Sequence, residues 1–356
     1  MKRINLLDLF SGIGGFHKGL EQAGFKVNSH FSEIDKHAIS VYQNNFKKSH
    51  YVGSVTNIRG HELPRINAIT FGSPCQDFSV AGKRKGMEGA RSSLILEAIR
   101  LIRECRPNFF IWENVKGTFS SNNREDFAAI LQAFANIGGY RLEWQLLNTK
   151  WFLPQNRERI YLVGYTGGRS GRSVFPIGKD DPTTHVVQKQ TTNTLTTRYR
   201  ADGVGTYIGE NKFDAQIGDF RYDEGFRWRQ NNESPTLTLK DPIYIKNGTK
   251  QGYDIANQGD SINYSNLNSE TRRGRVGKGV AQTLDTACSQ ATIVSSRIRR
   301  LTPIECERLQ GFPDNWTQYG TEGLISDSQR YKMCGNAVTV NVVQAVAEKI
   351  FNLYNG

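Results

Sequence analysis

The run INLLDLFSGIGGF, residues 4–16, decides the fold: an apolar stretch broken only by Asn5 and Asp8 leads straight into a turn carrying Gly12, Gly14 and Gly15. An apolar run of this length bounded by glycine reads as a buried strand, and in open α/β sheets ligands bind where such a strand gives way to its turn. The turn departs from the dinucleotide fingerprint G-x-G-x-x-G, because the third glycine would fall on His17, and this disfavours a pyrophosphate cradle. Its glycines still let a ligand come close to the backbone. A tight structural bend is the competing reading of the turn taken alone.

Outward from that run, five further stretches read as strands: Lys26–Phe31, Asn67–Phe71, Asn108–Trp112, Leu142–Leu147 and Ile160–Tyr165. Between them Leu94, Ala98, Ile102 and Cys105 recur at helical spacing, as do Phe127, Ile130, Leu131 and Phe134 ahead of Gly138. Alternating strands and helices predict a largely parallel sheet covered on both faces. Beyond about residue 166 Gly, Thr, Asn, Arg and Asp become dense, and NTLTTR at 193–198, PTLTL at 235–239 and QTLDT at 282–286 suggest short β segments joined by loops, or simply a Thr-rich β surface. A helical stripe returns with Val338, Val342, Ala345, Val346 and Ile350, which needs a core to cover it and is expected to dock back on the first domain. The expected division is a catalytic and cofactor-binding domain over residues 1–175, completed by a helix in 329–356, and a second domain over 176–328.

The 356 residues suffice for two cores, and 37% hydrophobic with 22% charged residues suits a folded chain rather than a disordered one. Lys plus Arg outnumber Asp plus Glu by 46 to 34, a net charge of +12 that favours an anionic partner such as nucleic acid. The five cysteines, at 75, 105, 288, 306 and 334, form no CxxC pair and no metal-type spacing, so free thiols in a reducing compartment are expected. No apolar run is long enough for export or for a membrane span.

Glu33-Ile34-Asp35 closes the second strand and places a carboxylate where ribose hydroxyls are held in nucleoside sites, although acids at strand ends are also ordinary solvated surface. GSPCQDFS, residues 72–79, ends the third strand with a proline that presents Cys75, a thiol able to act as nucleophile; an isolated cysteine is otherwise a packed core residue. Residues 80–93 are rich in glycine and basic side chains, with Lys83, Arg84, Lys85 and Arg91 as phosphate ligands on a mobile lid or on a merely solvated loop. WENV, residues 112–115, puts Glu113 on the same sheet edge, where burial beside a nucleobase would let it hold or share a proton. In QNRER, residues 155–159, Arg157 and Arg159 alternate along a strand and so face one side, as suits phosphate or carbonyl recognition.

Taken in order, DLFSGIGGF, EID, GSPCQDFS, ENV, QNRER, then RLTPIECERLQGFP from Arg300 and GNAV at 335–338, resemble the DNA cytosine-5 methyltransferases of restriction-modification type, bacterial or phage. The resemblance covers about residues 4–165 and 297–347. It implies a Rossmann-like, S-adenosylmethionine-dependent methyltransferase sheet of α/β class with a smaller, mostly β and loop target-recognition domain. It further implies that Cys75 adds to carbon 6 of a cytosine flipped out of duplex DNA, that Glu113 bonds ring nitrogen 3 and the exocyclic amine, and that Arg159 holds the carbonyl oxygen with Arg157 nearby. The methyl group would come from S-adenosylmethionine, leaving S-adenosylhomocysteine.

The same resemblance sets Phe10 against the adenine, Ile13 and Gly14 against the methionine part and Glu33 on the ribose, with Ser11, Gly12, Gly15, Pro74, Leu94, Asn336, Ala337 and Val338 completing the pocket. Ile34 stands where many relatives carry an aromatic residue, and Ser54 where they carry an adenine-contacting Asp. In the unmatched region, Arg198, Arg200, Arg227 and Arg229 would read base edges, while Arg272, Arg273 and Arg275 would contact bases or only phosphates. Double-stranded DNA is the implied partner, a monomer is expected, a cognate restriction endonuclease is a candidate partner, and the setting is the cytoplasm of a prokaryotic cell, with a phage gene as the other source.

Three other readings compete. A transfer-RNA branch of the family has a short recognition region, unlike this chain. A non-enzymatic DNA-binding descendant would typically lose the nucleophile or the acid, and both Cys75 and Glu113 are present. A nicotinamide-dependent oxidoreductase would share only the sheet, which by itself licenses no function.

Overall fold

The computed structural model describes residues 3–73, 92–120, 125–167, 172–178, 217–221, 225–228, 243–265, 269, 271–294 and 297–355. Within them, strand β1 (Arg3–Leu9) is flanked in parallel by β2 (Lys26–Ser32) and β4 (Ala68–Gly72), with β3 (His50–Tyr51) beyond β2 and β5 (Phe109–Val115) beyond β4. Strand β8 (Glu158–Tyr165) runs antiparallel between β5 and β6 (Arg141–Asn148), giving the order β3-β2-β1-β4-β5-β8-β6. The single reversal follows from chain length. Only residues 149–157 join β6 to β8, too few for the crossover that a parallel neighbour needs.

Because side chains alternate across a strand, adjacent residues feed different cores. Leu6 and Phe109 join one cluster, under helices α1 (Gly15–Gln22) and, at the far end of the sequence, α8 (Val340–Asn355). Leu7 and Phe110 join the other, under α3 (Ser92–Cys105) and α5 (Glu125–Ala135). The approach of α1 to α8 is close: a methyl group on Gly19 would lie 2.5 Å from Val343 Cγ1, so only glycine fits there. Beside α1, α2 (Lys36–Asn45) starts at Asp35, whose carboxylate accepts from His37 N at 2.9 Å and caps the helix, and His17 of α1 packs on its Tyr42; the short α4 (Gly117–Ser120) follows β5.

The later part of the chain is built from small antiparallel sheets. Strands β9 (Ile217–Arg221), β10 (Gly225–Trp228), β11 (Ile243–Lys246) and β12 (Tyr253–Ala256) form one, and β13 (Ser261–Asn263), β14 (Val276–Gly277), β16 (Gln290–Val294) and β17 (Arg297–Arg300) form another. Ile243, Ile245, Ile262 and Ile293 pack between them. Strand β15 (Ala281–Gln282) pairs instead in parallel with β7 (Gln155–Asn156), which ties this region to the connection between β6 and β8.

Helix α6 (Pro303–Leu309) begins with a capping box between Thr302 and Glu305 and proline in its first turn, an arrangement already visible in LTPIE. It packs on α7 (Asp327–Asn336), and Leu284, Cys288, Leu301, Cys306, Tyr331 and Cys334 close the core between them.

Candidate active site

The carboxyl ends of β1, β2, β4 and β5 open on one edge of the sheet. At the first, Phe10 (φ 50°), Gly12 (φ 53°) and Gly14 (φ 86°) take left-handed conformations, and Gly14 N donates to Ser11 O at 3.0 Å to close the turn ahead of α1. Trp316 Nε1 donates to Ile13 O at 3.0 Å and fixes the turn from outside. Glu33, just past β2, accepts from Gly12 N at 2.9 Å and from Ile34 N and Asp35 N at 2.7 and 3.0 Å. A carboxylate has about four acceptor positions, so three donors leave it room for another. Ile34 beside it is 81% exposed, and Ser32 Oγ donates to Gly53 O at 2.7 Å, which brings Ser54 alongside the end of β2.

At the neighbouring edge Gly72 and Glu113 are register partners, and a methyl group on Gly72 would lie 3.1 Å from Glu113 Oε2. Arg159, at the start of β8, brings Nε to 3.1 Å from Glu113 Oε1. The N–H is not aligned for a hydrogen bond, so Oε1 is buried with a cation beside it but no directed donor. Ser73, next in the chain, receives Trp112 Nε1 at 3.0 Å and Asn114 Nδ2 at 3.1 Å on its hydroxyl. These two contacts, which sequence reasoning missed, anchor the root of the segment that continues to Cys75. The WEN and GSP spellings alone do not show them, because they depend on the register of β4 on β5.

Arg157 lies on the same side as Arg159, and the charges of Arg159 and Glu113 both act on it. Thr149 N donates to Arg157 O at 2.9 Å, continuing the register that pairs Leu147 with Arg159 and Asn148 with Glu158. The buried Arg157 guanidinium donates through Nη2 to Ala337 O at 2.9 Å and through Nη1 to Gly335 O at 3.4 Å. Burial first, then the like charge of Arg159, pull its pKa from 12.5 to about 10 against the opposing pull of Glu113. Arg157 thus grips main chain from a place beside the Glu113–Arg159 pair.

The family profile described as C-5 cytosine-specific DNA methylase matches residues 4–352. This chain belongs to that family. It is 33% identical to the type II methyltransferase M1.ScrFI of Lactococcus lactis subsp. cremoris, over 99% of this chain and 79% of the relative. It is 30% identical to the type II methyltransferase M.Bsp6I of Bacillus sp. strain RFL6, over 98% of each. Among solved structures, the S. pombe Dnmt2 methyltransferase shares the fold with a TM-score of 0.62 at 19% identity, covering 99% of this chain and all of that one. The protein is thus a DNA cytosine-5 methyltransferase with a Rossmann-like sheet, and its family implies methylation of cytosine in DNA from an S-adenosylmethionine-type donor.

The methyltransferase has residues that fit such a donor at the edge of β1 and β2. Ser11 Oγ is buried without a hydrogen-bond partner, Glu33 keeps an open acceptor position, and the exposed face of Ile34 offers apolar cover. Leu94 lies half-buried on α3. Gly15 and Val338 touch: a methyl group on Gly15 would sit 2.6 Å from Val338 Cγ2. Asn336 is exposed and Ala337 buried.

Of the basic residues singled out, Arg272 and Arg273 lie on the surface, while Arg275 is fully buried and donates to Ser265 O at 3.0 Å and Asn263 O at 3.4 Å. A side chain so enclosed cannot reach DNA, which corrects its reading as a nucleic-acid contact. A cleft of about 640 Å³ runs between Lys150 and Asn156 on one side and Asn263, Arg272, Lys278, Gln282 and Thr283 on the other. Arg227 falls on β10. Pro74, Cys75, Lys83, Arg84, Lys85, Arg91, Arg198, Arg200 and Arg229 lie outside the described residues. Among the described residues no helix is long and apolar enough to cross a membrane.

Proposed function

We propose that this methyltransferase modifies carbon 5 of a cytosine flipped out of a specific duplex sequence, through a covalent bond to Cys75. The observation that carries the reading is the Glu113–Arg159 pair, 3.1 Å apart over Gly72, on the same sheet edge as the glycine turn and Glu33. An exocyclic amine and a protonated ring nitrogen would meet the Glu113 carboxylate, whose Oε1 has no directed donor of its own, and Arg159 would turn to the carbonyl oxygen. Holding the base this way draws electrons from the ring and opens carbon 6 to the Cys75 thiolate. Addition there makes carbon 5 nucleophilic. When bound, the sulfonium donor supplies an electrophilic methyl group at that carbon. A base then removes the carbon 5 proton, and the electron pair left behind expels Cys75.

Phe10, Ser11, Gly12, Ile13, Gly14, Gly15, Glu33, Ile34 and Ser54, with Pro74, Leu94, Asn336, Ala337 and Val338, would hold the donor. Residues 176–328 would carry target recognition, with Arg272 lining the cleft and the exposed Arg273 next to it in sequence, on phosphates or bases. A cytosine bearing fluorine at carbon 5 cannot release that position as a proton, so it should leave the protein bonded to DNA through denaturing electrophoresis. Cys75→Ala should abolish both the bonded species and methyl transfer; a Cys75→Ala protein that still turns over would overturn the mechanism. Sequencing the methylated cytosines of a host expressing the protein would give the target site.

A further inference from the structure

We propose that Arg157 is a positioning residue for the methyl donor: by gripping the turn 335–338 it holds Val338 as a spacer between the glycine turn and the strand beside Glu113. This rests on the reading of that edge as the donor and cytosine site. The geometry is specific. Val338 approaches both Gly15, at the head of α1, and Gly72, at the end of β4, with Cγ2 at 2.6 Å and Cγ1 at 3.8 Å from a methyl group placed on each glycine. It therefore sits where the two halves of the site meet.

The turn that carries it is held from behind by few groups. Arg157 binds the carbonyls of Gly335 and Ala337, on either side of Asn336, and Gln310 Nε2 binds Cys334 O at 2.8 Å. Gln310 Oε1 accepts from Thr339 Oγ1 at 2.9 Å, and Val340 N donates to Gln310 O at 2.9 Å. The turn is thus fixed at both ends by Gln310 and in its middle by Arg157.

Arginine satisfies two main-chain carbonyls here, but at a local cost. Its Nε is buried with no acceptor, and the like charge of Arg159 acts against it. Proteins keep locally unfavourable choices of this kind at functional sites. The two carbonyls take separate nitrogens of one planar fork, a pre-organised pairing that a single flexible ammonium does not supply.

Calorimetric titration with S-adenosylhomocysteine, in the absence of DNA, tests this on the full chain, alongside DNA binding and thermal unfolding. Arg157→Lys should weaken S-adenosylhomocysteine binding roughly tenfold, the worth of one charge-assisted hydrogen bond, while DNA affinity changes little. Val338→Ala, which leaves Arg157 in place and removes only the spacer, should weaken it in the same direction and decides the matter if the lysine variant fails to fold. Equal weakening of donor and DNA binding would mean a general loosening of the fold, and unchanged donor affinity in the variants would mean the turn is not a spacer; either overturns the inference. A wild-type protein that does not bind S-adenosylhomocysteine would instead overturn the donor-site reading and this inference with it.

Discussion

Replacing Asp8 by asparagine would probe the charge state at the centre of the sheet. Asp8 is fully buried on β1, with Thr70 Oγ1 at 2.8 Å from one carboxyl oxygen and the Tyr42 hydroxyl at 3.3 Å from the other. Burial raises its pKa from 3.8 to about 8, against the two hydrogen bonds and with a small push from Glu33. The carboxyl is thus protonated in the fold at neutral pH and ionised in the unfolded chain. Its contribution to stability is complete below 3.8 and is lost as pH rises to about 8. Each pH step in that window removes about 1.4 kcal/mol. His17, held below its usual 6.5 by burial, works in the opposite sense, since the unfolded chain binds its proton first and stability falls as the solution is acidified below 6.5. The interval from 6.5 to 8 therefore isolates Asp8. Across it the wild type should lose about 2 kcal/mol that Asp8→Asn keeps. Urea unfolding at a series of pH values measures both, and parallel curves for the two proteins would refute a neutral carboxyl at this position.

Three other outcomes follow from the packing and the site. Gly335→Ala would place a methyl group 2.4 Å from the main-chain oxygen of Asp285, so backbone must move and stability should fall by about 1–3 kcal/mol; a denaturation midpoint like that of the wild type would show the turn to be looser than described. Arg272→Gln and Arg273→Gln should each flatten the dependence of DNA affinity on salt by about 0.9 in log–log slope, whereas Arg275→Gln should lower the melting temperature and leave the slope alone; a changed slope for Arg275→Gln would return that residue to the DNA surface. Ile34→Ala should weaken donor binding about fivefold, corresponding to roughly 1 kcal/mol of lost apolar contact, and an unaltered affinity would place the nucleoside elsewhere.

The strands of the central sheet were legible because their apolar runs and glycine boundaries are local signals, and each expected strand overlaps one in the structure; the two-residue edge strand β3 was not expected. The reversal of β8 was not spelled in its residues; it depends on the length of the link from β6. The inward turn of Arg157 and Arg275 was not legible, for a shared reason. Both stand in basic clusters, and charge in sequence says nothing of which member points inward to satisfy carbonyls that the fold would otherwise bury unpaired. The grip of Trp112 and Asn114 on Ser73 was equally hidden, because it needs the register of β4 on β5. Glu33, Glu113 and the glycine turn, by contrast, announced themselves by standing at strand ends, where topology alone brings them to one edge.

The seating of α8 against Gly19 has a consequence for how the molecule is made. Leu20 and Phe16 on α1 find their cover in Val342, Val343 and Val346, more than three hundred positions downstream, and Trp316 reaches back as far to secure Ile13. An emerging polypeptide would carry that greasy flank of α1 naked through most of its synthesis. Such distant closures slow maturation and expose the nascent chain to self-association. The cover of α1 and the Trp316 bond to the glycine turn can thus form only once the last part of the chain has been made.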